Sequence, residues 1–133
     1  MTSRIIREAL KQRTIIFYNK FNKKKIRLFK NAKVECYEVP LNFNNNLDLI
    51  QVLIKIRELG FSRIFLESGI KLATNFLKDD LVDELKIFIS NTLLGKNGSG
   101  SVRNNFVKFI KNKKFIKEKI NLFGEKLISY KIR

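Results

Sequence analysis

Segments with the patterns of β-strands and α-helices alternate through the middle of this chain, and this alternation limits the fold more than any other feature. Residues 34–39 (VECYEV) alternate with period two, residues 47–59 carry polar side chains at steps of three and four, and residues 63–66 (RIFL) are a short apolar run. A helix over residues 70–77 and a strand over residues 84–90 follow. Helical connections between strands favour parallel pairing, so the pattern predicts an α/β fold.

The N-terminal part adds a helix and a strand to this predicted core. Residues 4–13 have the pattern of a short helix. Residues 14–18 (TIIFY) are β-branched and aromatic, which predicts a buried strand. The polar and basic residues 19–25 are expected to form a surface connection.

The C-terminal part is predicted to be antiparallel. Strand-like runs over residues 115–123 and 126–132 are separated by Gly-Glu, a dipeptide suited to a hairpin turn. The Gly- and Ser-rich residues 91–101 are typical of a loop and not of a linker. We therefore expect a single domain over residues 1–133.

The composition excludes several kinds of chemistry. The chain has no histidine and only one cysteine, Cys36. This rules out a Ser-His-Asp triad, a histidine-ligated metal, a cysteine zinc site and an internal disulfide within the chain. No apolar run has the length of a membrane span, and the first residues lack the apolar stretch of a secretion signal. We expect a cytoplasmic protein without a membrane partner.

The positive charge is concentrated at the two ends of the sequence. The net charge is +16 in total, with +9 in residues 1–35, −1 in residues 36–102 and +8 in residues 103–133. The basic runs at 23–25 and 111–114 are typical of solvated loops or strand ends. A positive field also attracts an anionic substrate or cofactor as readily as it attracts DNA. A non-enzymatic module that binds nucleic acid through its Lys-rich ends is the alternative function.

One segment has the pattern of a ligand site. A strand over 63–66 would deliver Glu67 to its carboxyl end, and Gly69, which has no Cβ, lets a backbone approach a ligand closely. The N-terminus of the following helix suits a phosphate group. A plain turn that needs glycine for its geometry is the competing explanation, because one glycine is not a dinucleotide-binding fingerprint.

Two weaker candidates carry no predicted chemistry. Asp79, Asp80, Asp83 and Glu84 lie close together in sequence, but a solvated turn after a helix explains them, and they lack the spacing of an oxygen-ligand loop. We therefore predict no metal site. Cys36 lies in an apolar strand and is expected to be buried and inert.

The sequence around this turn resembles a known family. Residues 58–72, which include Glu-Ser-Gly, are followed by Phe-Leu at 76–77, Leu-Val-Asp-Glu-Leu at 81–85 and Leu-Leu-Gly at 93–95. In this order they resemble the reductase domain of the bacterial bifunctional riboflavin-biosynthesis deaminase–reductase, with Ser68 in place of a smaller residue. The similarity extends more loosely over nearly the whole chain.

The resemblance implies a fold and an activity. The fold would be dihydrofolate-reductase-like, with three α/β/α layers, a mostly parallel sheet and a C-terminal antiparallel hairpin. The activity would be NADPH-dependent reduction of 5-amino-6-(5-phosphoribosylamino)uracil to its ribitylamino form, in a homodimer. Family domains are longer at the N-terminus, so this chain is expected to correspond to the middle and C-terminal part of such a domain.

The resemblance also implies the roles of particular residues. Glu67 matches the glutamate that contacts the substrate. The turn and first helical residues match the segment that holds NADPH: Gly69, Ile70, Lys71, Leu72, Ala73, Thr74 and Asn75. No residue is matched to a general acid.

Overall fold

Helices and strands follow one another along the chain, as the α/β prediction requires. The computed structural model describes residues 4–92, 102–120 and 123–133. Its elements, in chain order, are α1 (Arg4–Glu8), β1 (Thr14–Tyr18), α2 (Lys23–Asn31), β2 (Val34–Glu38), α3 (Leu49–Glu58), α4 (Ile70–Lys78), β3 (Glu84–Ile89), α5 (Val102–Ile110), β4 (Phe115–Lys117) and β5 (Lys126–Lys131).

The chain divides into two compact units, Met1–Ile64 and Phe65–Arg133. In the first unit, β1 and β2 pair in parallel, with Thr14 opposite Val34 and Tyr18 opposite Glu38. The helix α2 connects these strands and packs against β2. A connection of this kind is typical of parallel pairing. The sequence predicts such pairing for the later strands instead, and that prediction is wrong for β3, which pairs antiparallel with β5.

The helix α3 begins at a side-chain cap. The Asp48 carboxylate accepts hydrogen bonds from the backbone N–H groups of Ile50 and Gln51, at 2.9 and 3.2 Å. These two N–H groups have no partner inside the helix, so the cap satisfies them. The predicted helix over 47–59 is therefore confirmed, with Asp48 as the residue before its first turn.

The prediction of a surface connection over 19–25 is wrong for its second half, because Lys23 begins α2. The Asn22 side chain accepts a hydrogen bond from the backbone N–H of Lys25 at 3.0 Å, which caps the helix. Ile26 and Phe29, three residues apart, are its half-buried side chains. The sequence did not predict this short apolar stripe, because basic residues surround it. The helix α1 is shorter than predicted, because it ends at Glu8 and not at residue 13.

The second unit contains an antiparallel sheet in the order β3-β5-β4. Glu84 lies opposite Lys131 and Ile89 opposite Lys126, whereas β4 pairs through Phe115 and Tyr130. The antiparallel C-terminal end is therefore confirmed, although β4 stops at Lys117 and is shorter than the predicted run over 115–123.

Helices α4 and α5 supply much of the core of the second unit. Leu77 of α4, Phe106 of α5 and Ile132 after β5 form its buried cluster. The partly buried side chains packed against it are Ile70, Ala73, Val82, Leu85, Phe109, Ile110 and Tyr130. The helix α5 has no counterpart among the predicted elements. The loop predicted over 91–101 lies mostly outside the described residues.

The predicted strand over 63–66 is wrong. Residues 61–69 have no regular secondary structure and are all exposed, and Phe65 retains 74% of its accessible surface. A strand needs a neighbouring strand to satisfy its backbone N–H and C=O groups, and no ladder among the described residues includes this segment. Within the described residues, parallel pairing is therefore limited to β1 and β2, a smaller share than the sequence indicates.

No helix within the described ranges is long and apolar enough to cross a membrane.

Candidate functional site

The predicted ligand site lies at the start of α4, in the second unit. Glu67, Ser68 and Gly69 are exposed and lead directly into the helix, whose first residue is Ile70. The Ser68 hydroxyl donates a hydrogen bond to the Gly69 carbonyl at 3.3 Å. Exposed backbone and a helix start therefore occur together here, although no strand precedes them.

Neither backbone conformation nor packing explains the glycine at position 69. Its φ and ψ of −66° and 160° are available to any residue. A Cβ built on Gly69 would meet no atom within 4 Å, so open space adjoins it. Gly60 differs, because its φ of +93° favours glycine. The explanation of Gly69 as a turn glycine therefore loses its main support.

The first turn of α4 has no side-chain cap. Gly69 is the residue before the helix and has no side chain to accept from the N–H groups of the first turn. Unpaired N–H groups and the positive end of the helix dipole favour an anion at this end. The exposed ammonium group of Lys71 adds a full positive charge to the same turn.

The remaining predicted cofactor residues have different surroundings. Ile70 and Ala73 pack against the core cluster, and the Thr74 hydroxyl donates to the Ile70 carbonyl at 2.7 Å. Leu72 is 40% exposed, and Asn75 is half-buried. The structure therefore brings together the Gly69 backbone, Lys71 and Leu72 at the open surface of the turn. Their binding of a cofactor stays a prediction.

Glu67 offers a carboxylate to a ligand. Its side chain is exposed, and it forms no hydrogen bond or ion pair with any residue that the structure describes. A carboxylate without a protein partner can accept hydrogen bonds from hydroxyl or amino groups of a small molecule. Its position two residues before Gly69 keeps it beside the helix start.

The acidic residues after α4 have a structural role. The Asp83 carboxylate accepts two hydrogen bonds from Arg133, at 3.0 Å from Nε and 2.6 Å from Nη2. Arg133 Nη1 also donates to the Asp80 carbonyl at 3.1 Å. Within the described part of the chain, no three acidic or cysteine side chains are grouped so that they could hold a metal ion.

A charged cluster in the first unit was not predicted. Arg13 donates two hydrogen bonds to Glu35, at 2.6 Å from Nε and 3.0 Å from Nη2, and the Tyr37 hydroxyl donates to the same carboxylate at 2.8 Å. The bonds from Arg13, and then that from Tyr37, lower the pKa of Glu35 from 4.5 to about 2. The period-two pattern of β2 could have indicated that Glu35 and Tyr37 share a face.

A shallow groove of about 330 Å³ adjoins this cluster, lined by Lys30, Lys33, Val34, Glu35, Cys36 and Tyr37. Burial raises the pKa of the Cys36 thiol, although the nearby Lys30 opposes this. A raised pKa keeps the thiol protonated at neutral pH and makes it a poor nucleophile. Cys36 is half-buried, less so than the sequence predicts.

Comparison with known proteins identifies the family. Among solved structures, 17 chains match significantly. One is a pyrimidine reductase-like protein from Corynebacterium diphtheriae, which is 16% identical and superposes with a TM-score of 0.66 over 99% of this chain. This chain spans 56% of the length of that protein. The likeness confirms the mixed α/β fold of a reductase-like protein.

No curated protein matches the chain significantly. The family model that matches is described as the RibD C-terminal domain, and it covers residues 1–128. That span includes the helix α4 and the turn before it. The chain therefore belongs to the RibD C-terminal domain family, a family of reductase domains.

Proposed function

We propose that this chain is an NADPH-dependent reductase domain acting on 5-amino-6-(5-phosphoribosylamino)uracil in riboflavin biosynthesis. Its membership of a riboflavin-pathway reductase family supports the class of reaction. The likeness to a pyrimidine reductase-like protein supports a pyrimidine substrate. The observation that carries the site assignment is Gly69, a glycine at a helix start that neither its conformation nor its packing requires.

The residues at the start of α4 fit the phosphate groups of the cofactor. The uncapped N–H groups of the first turn donate hydrogen bonds to phosphate oxygens, and Lys71 attracts the same negative charge. Gly69 keeps the approach to these donors open. NADPH, when bound, supplies the hydride for the reduction. The protein holds and orients both molecules.

Glu67 is proposed to bind the substrate. Its carboxylate has no partner among the described residues and lies next to the proposed phosphate site. Hydroxyl groups of the sugar and amino groups of the pyrimidine are donors that match it. Glu67 orients the substrate in this proposal, and no residue is assigned as a proton donor.

A homodimer is part of the proposal. Apolar side chains remain exposed at the start of the second unit, with Phe65 at 74% and Leu66 at 38%. Burial of such side chains against a second copy would be favourable.

The cofactor assignment predicts that Gly69→Val and Lys71→Gln weaken NADPH binding while Lys78→Gln does not. Valine fills the open space beside the helix start and blocks the cofactor, so we expect a loss of about tenfold or more. Loss of one exposed cation is expected to weaken binding up to about fivefold. The measurement is a fluorescence titration of NADPH, supported by the thermal shift that it causes.

Lys78 is the matched control, because it is an exposed lysine at the other end of α4. Lysine opposes the helix dipole at position 71 and complements it at position 78. Lys71→Gln should therefore bind NADPH less tightly and unfold at the same or a higher temperature. Unchanged NADPH binding by a folded Gly69→Val variant would contradict the site assignment.

A further inference from the structure

The first unit contains a cluster of positively charged side chains. Residues 20–33 contain seven basic residues and no acidic residue. The structure gathers them on α2 and its flanks, where all seven side chains are exposed: Lys20, Lys23, Lys24, Lys25, Arg27, Lys30 and Lys33. The lysine run at 23–25, expected to form a solvated loop or a strand end, is instead the first turn of a helix with a positive surface.

These cations have no anionic partner in the described part of the chain. The ion pairs there are formed by Arg4, Arg13, Lys55, Lys86 and Arg133. Acidic residues therefore neutralise cations elsewhere and leave α2 uncompensated. A cluster of cations without anionic partners attracts an external polyanion. On binding, the cations replace the counterions that were condensed on the polyanion.

The order of charges along α2 is unfavourable for the isolated helix. Lys23, Lys24 and Lys25 occupy its first turn, and no acidic residue is present there. Cations at this end oppose the positive end of the helix dipole. The Asn22 cap and the packing of Ile26 and Phe29 hold the helix together despite this repulsion. A bound anion would remove the repulsion, so the arrangement favours a negatively charged ligand.

The shape of the patch favours a linear polyanion. Helix α2 has nine residues, and at about 1.5 Å per residue the positive surface is about 13 Å long, which exceeds one phosphate group. Its half-buried residues, Ile26 and Phe29, belong to a helix that packs against β2. An interfacial membrane helix needs its apolar face free, so this packing disfavours a lipid surface.

An exposed aromatic ring adjoins the cations. Phe21 retains 64% of its accessible surface and lies between Lys20 and Lys23 in the sequence. Unpaired bases stack on exposed aromatic rings, whereas bases inside a duplex are already stacked on one another. Phosphate binding by the cations and stacking on Phe21 are both available to a single strand.

We propose that residues 20–33 bind single-stranded nucleic acid, with the cations of α2 contacting successive phosphates and Phe21 stacking on a base. The binding is independent of the sequence of the nucleic acid, because phosphates and base faces are common to all sequences. This function does not rest on the reductase proposal, whose site is at the start of α4.

The test measures fluorescence anisotropy of labelled oligothymidylate and oligouridylate with the full chain at several salt concentrations. The variant is Lys23→Gln, Lys24→Gln, Arg27→Gln. Its matched control, Lys111→Gln, Lys114→Gln, Lys119→Gln, removes the same charge from exposed positions of the second unit. The α2 variant should bind at least about tenfold more weakly, and its salt slope should fall by about 2, while the control changes little.

A second pair of variants tests stacking. Phe21→Ala should weaken binding to the oligonucleotides, whereas Phe43→Ala, which removes an exposed ring outside residues 20–33, should not. Circular dichroism and thermal unfolding check that each variant is folded. Glutamine favours helix and removes repulsion from the first turn, so the α2 variant should unfold at no lower temperature.

Three outcomes would overturn the proposal. Equal losses in the two charge variants would mean that net charge alone attracts the polyanion. Equal affinity for a duplex of the same length would remove the role of stacking. Binding to phosphatidylserine–phosphatidylcholine vesicles without binding to the oligonucleotides would assign the surface to lipid. None of these results depends on NADPH, so the reductase proposal is tested separately.

Discussion

At the scale of single residues, Glu35 in the first unit has a pKa lowered to about 2 by its hydrogen bonds. Three hydrogen bonds converge on its carboxylate, two from Arg13 and one from Tyr37. Arg13 immediately precedes β1 and Glu35 lies in β2, so the pair connects the ends of two parallel strands. Charge-assisted bidentate bonds of this kind are stronger than bonds between neutral groups.

The lowered pKa of Glu35 predicts a pH dependence of stability. A folded-state pKa of about 2, below the ordinary 4.5, means that Glu35 stabilises the fold fully above pH 4.5 and loses this effect as the pH falls towards 2. Glu35→Gln should therefore lower the melting temperature at neutral pH and lower it progressively less as the solution is acidified. Thermal unfolding across this range measures the difference.

Glu38→Gln is the control for this prediction. Glu38 lies on the same strand and is exposed, and it has no hydrogen-bonded side-chain partner among the described residues. Its substitution should change the melting temperature little at any pH. If the melting temperatures of the wild type and of Glu35→Gln differed by the same amount at neutral pH and near pH 2, the assignment of the pKa shift to the Arg13 pair would be contradicted.

At the scale of elements, the apolar face of α4 packs the helix against the core of the second unit. Its residues Phe76 and Leu77 are buried, while Lys71, Leu72 and Lys78 face solvent. Apolar residues three and four apart produce such a face, which is why the sequence predicts this helix almost to the residue. The same reasoning fails for α2, where only Ile26 and Phe29 are half-buried and lysines surround them.

Two leucines of α4 provide a matched test of this packing. Leu77 is 5% exposed and belongs to the core cluster, whereas Leu72 is 40% exposed. Leu77→Ala should lower the free energy of unfolding by about 2–4 kcal/mol, because it removes buried methyl groups and leaves a cavity. Leu72→Ala should change it by about 0.5 kcal/mol or less. Urea unfolding measures both, and equal losses would contradict the assigned core.

At the scale of the whole molecule, positive charge is concentrated at the two ends of the sequence, whereas exposed apolar side chains occur in the basic ends and in the neutral middle alike. The excess of +16 comes from the two ends, and residues 36–102 carry a net charge of −1. The exposed Phe65 and Leu66, at the start of the second unit, belong to this nearly neutral part. Two copies of the chain would meet there with less electrostatic repulsion than at the basic ends, which is why the proposed homodimer uses this segment.

The homodimer proposal predicts different effects for two exposed phenylalanines. Phe65→Ser should raise the dimer dissociation constant by about tenfold or more, because a ring buried in the interface is lost. Phe43→Ser removes a fully exposed ring elsewhere and should leave the constant unchanged. Light scattering measures the mass, which for the wild type should rise towards the dimer as salt screens the positive charge. A monomer at every salt concentration would exclude this contact.

Local patterns were sufficient for several features of this chain. Periodicity and the nearby cap define α3, the apolar spacing defines α4, and the β-branched run defines β1, because these depend on residues close in sequence. The sequence also shows a glutamate, Glu67, and a glycine, Gly69, directly before a predicted helix, and this segment resembles part of a reductase domain. The sequence could not exclude that Gly69 serves only the turn.

Other features required contacts between distant residues. Whether residues 63–66 form a strand depends on a neighbour to pair with, and no ladder of the described residues supplies one. The bond between Arg13 and Glu35 joins groups 22 residues apart, which no local pattern specifies. The open space beside Gly69 also depends on long-range placement. The same holds for the α2 cations, which form no ion pair among the described residues. Local energies select helices and strands, whereas pairing, burial and charge compensation are properties of the assembled chain.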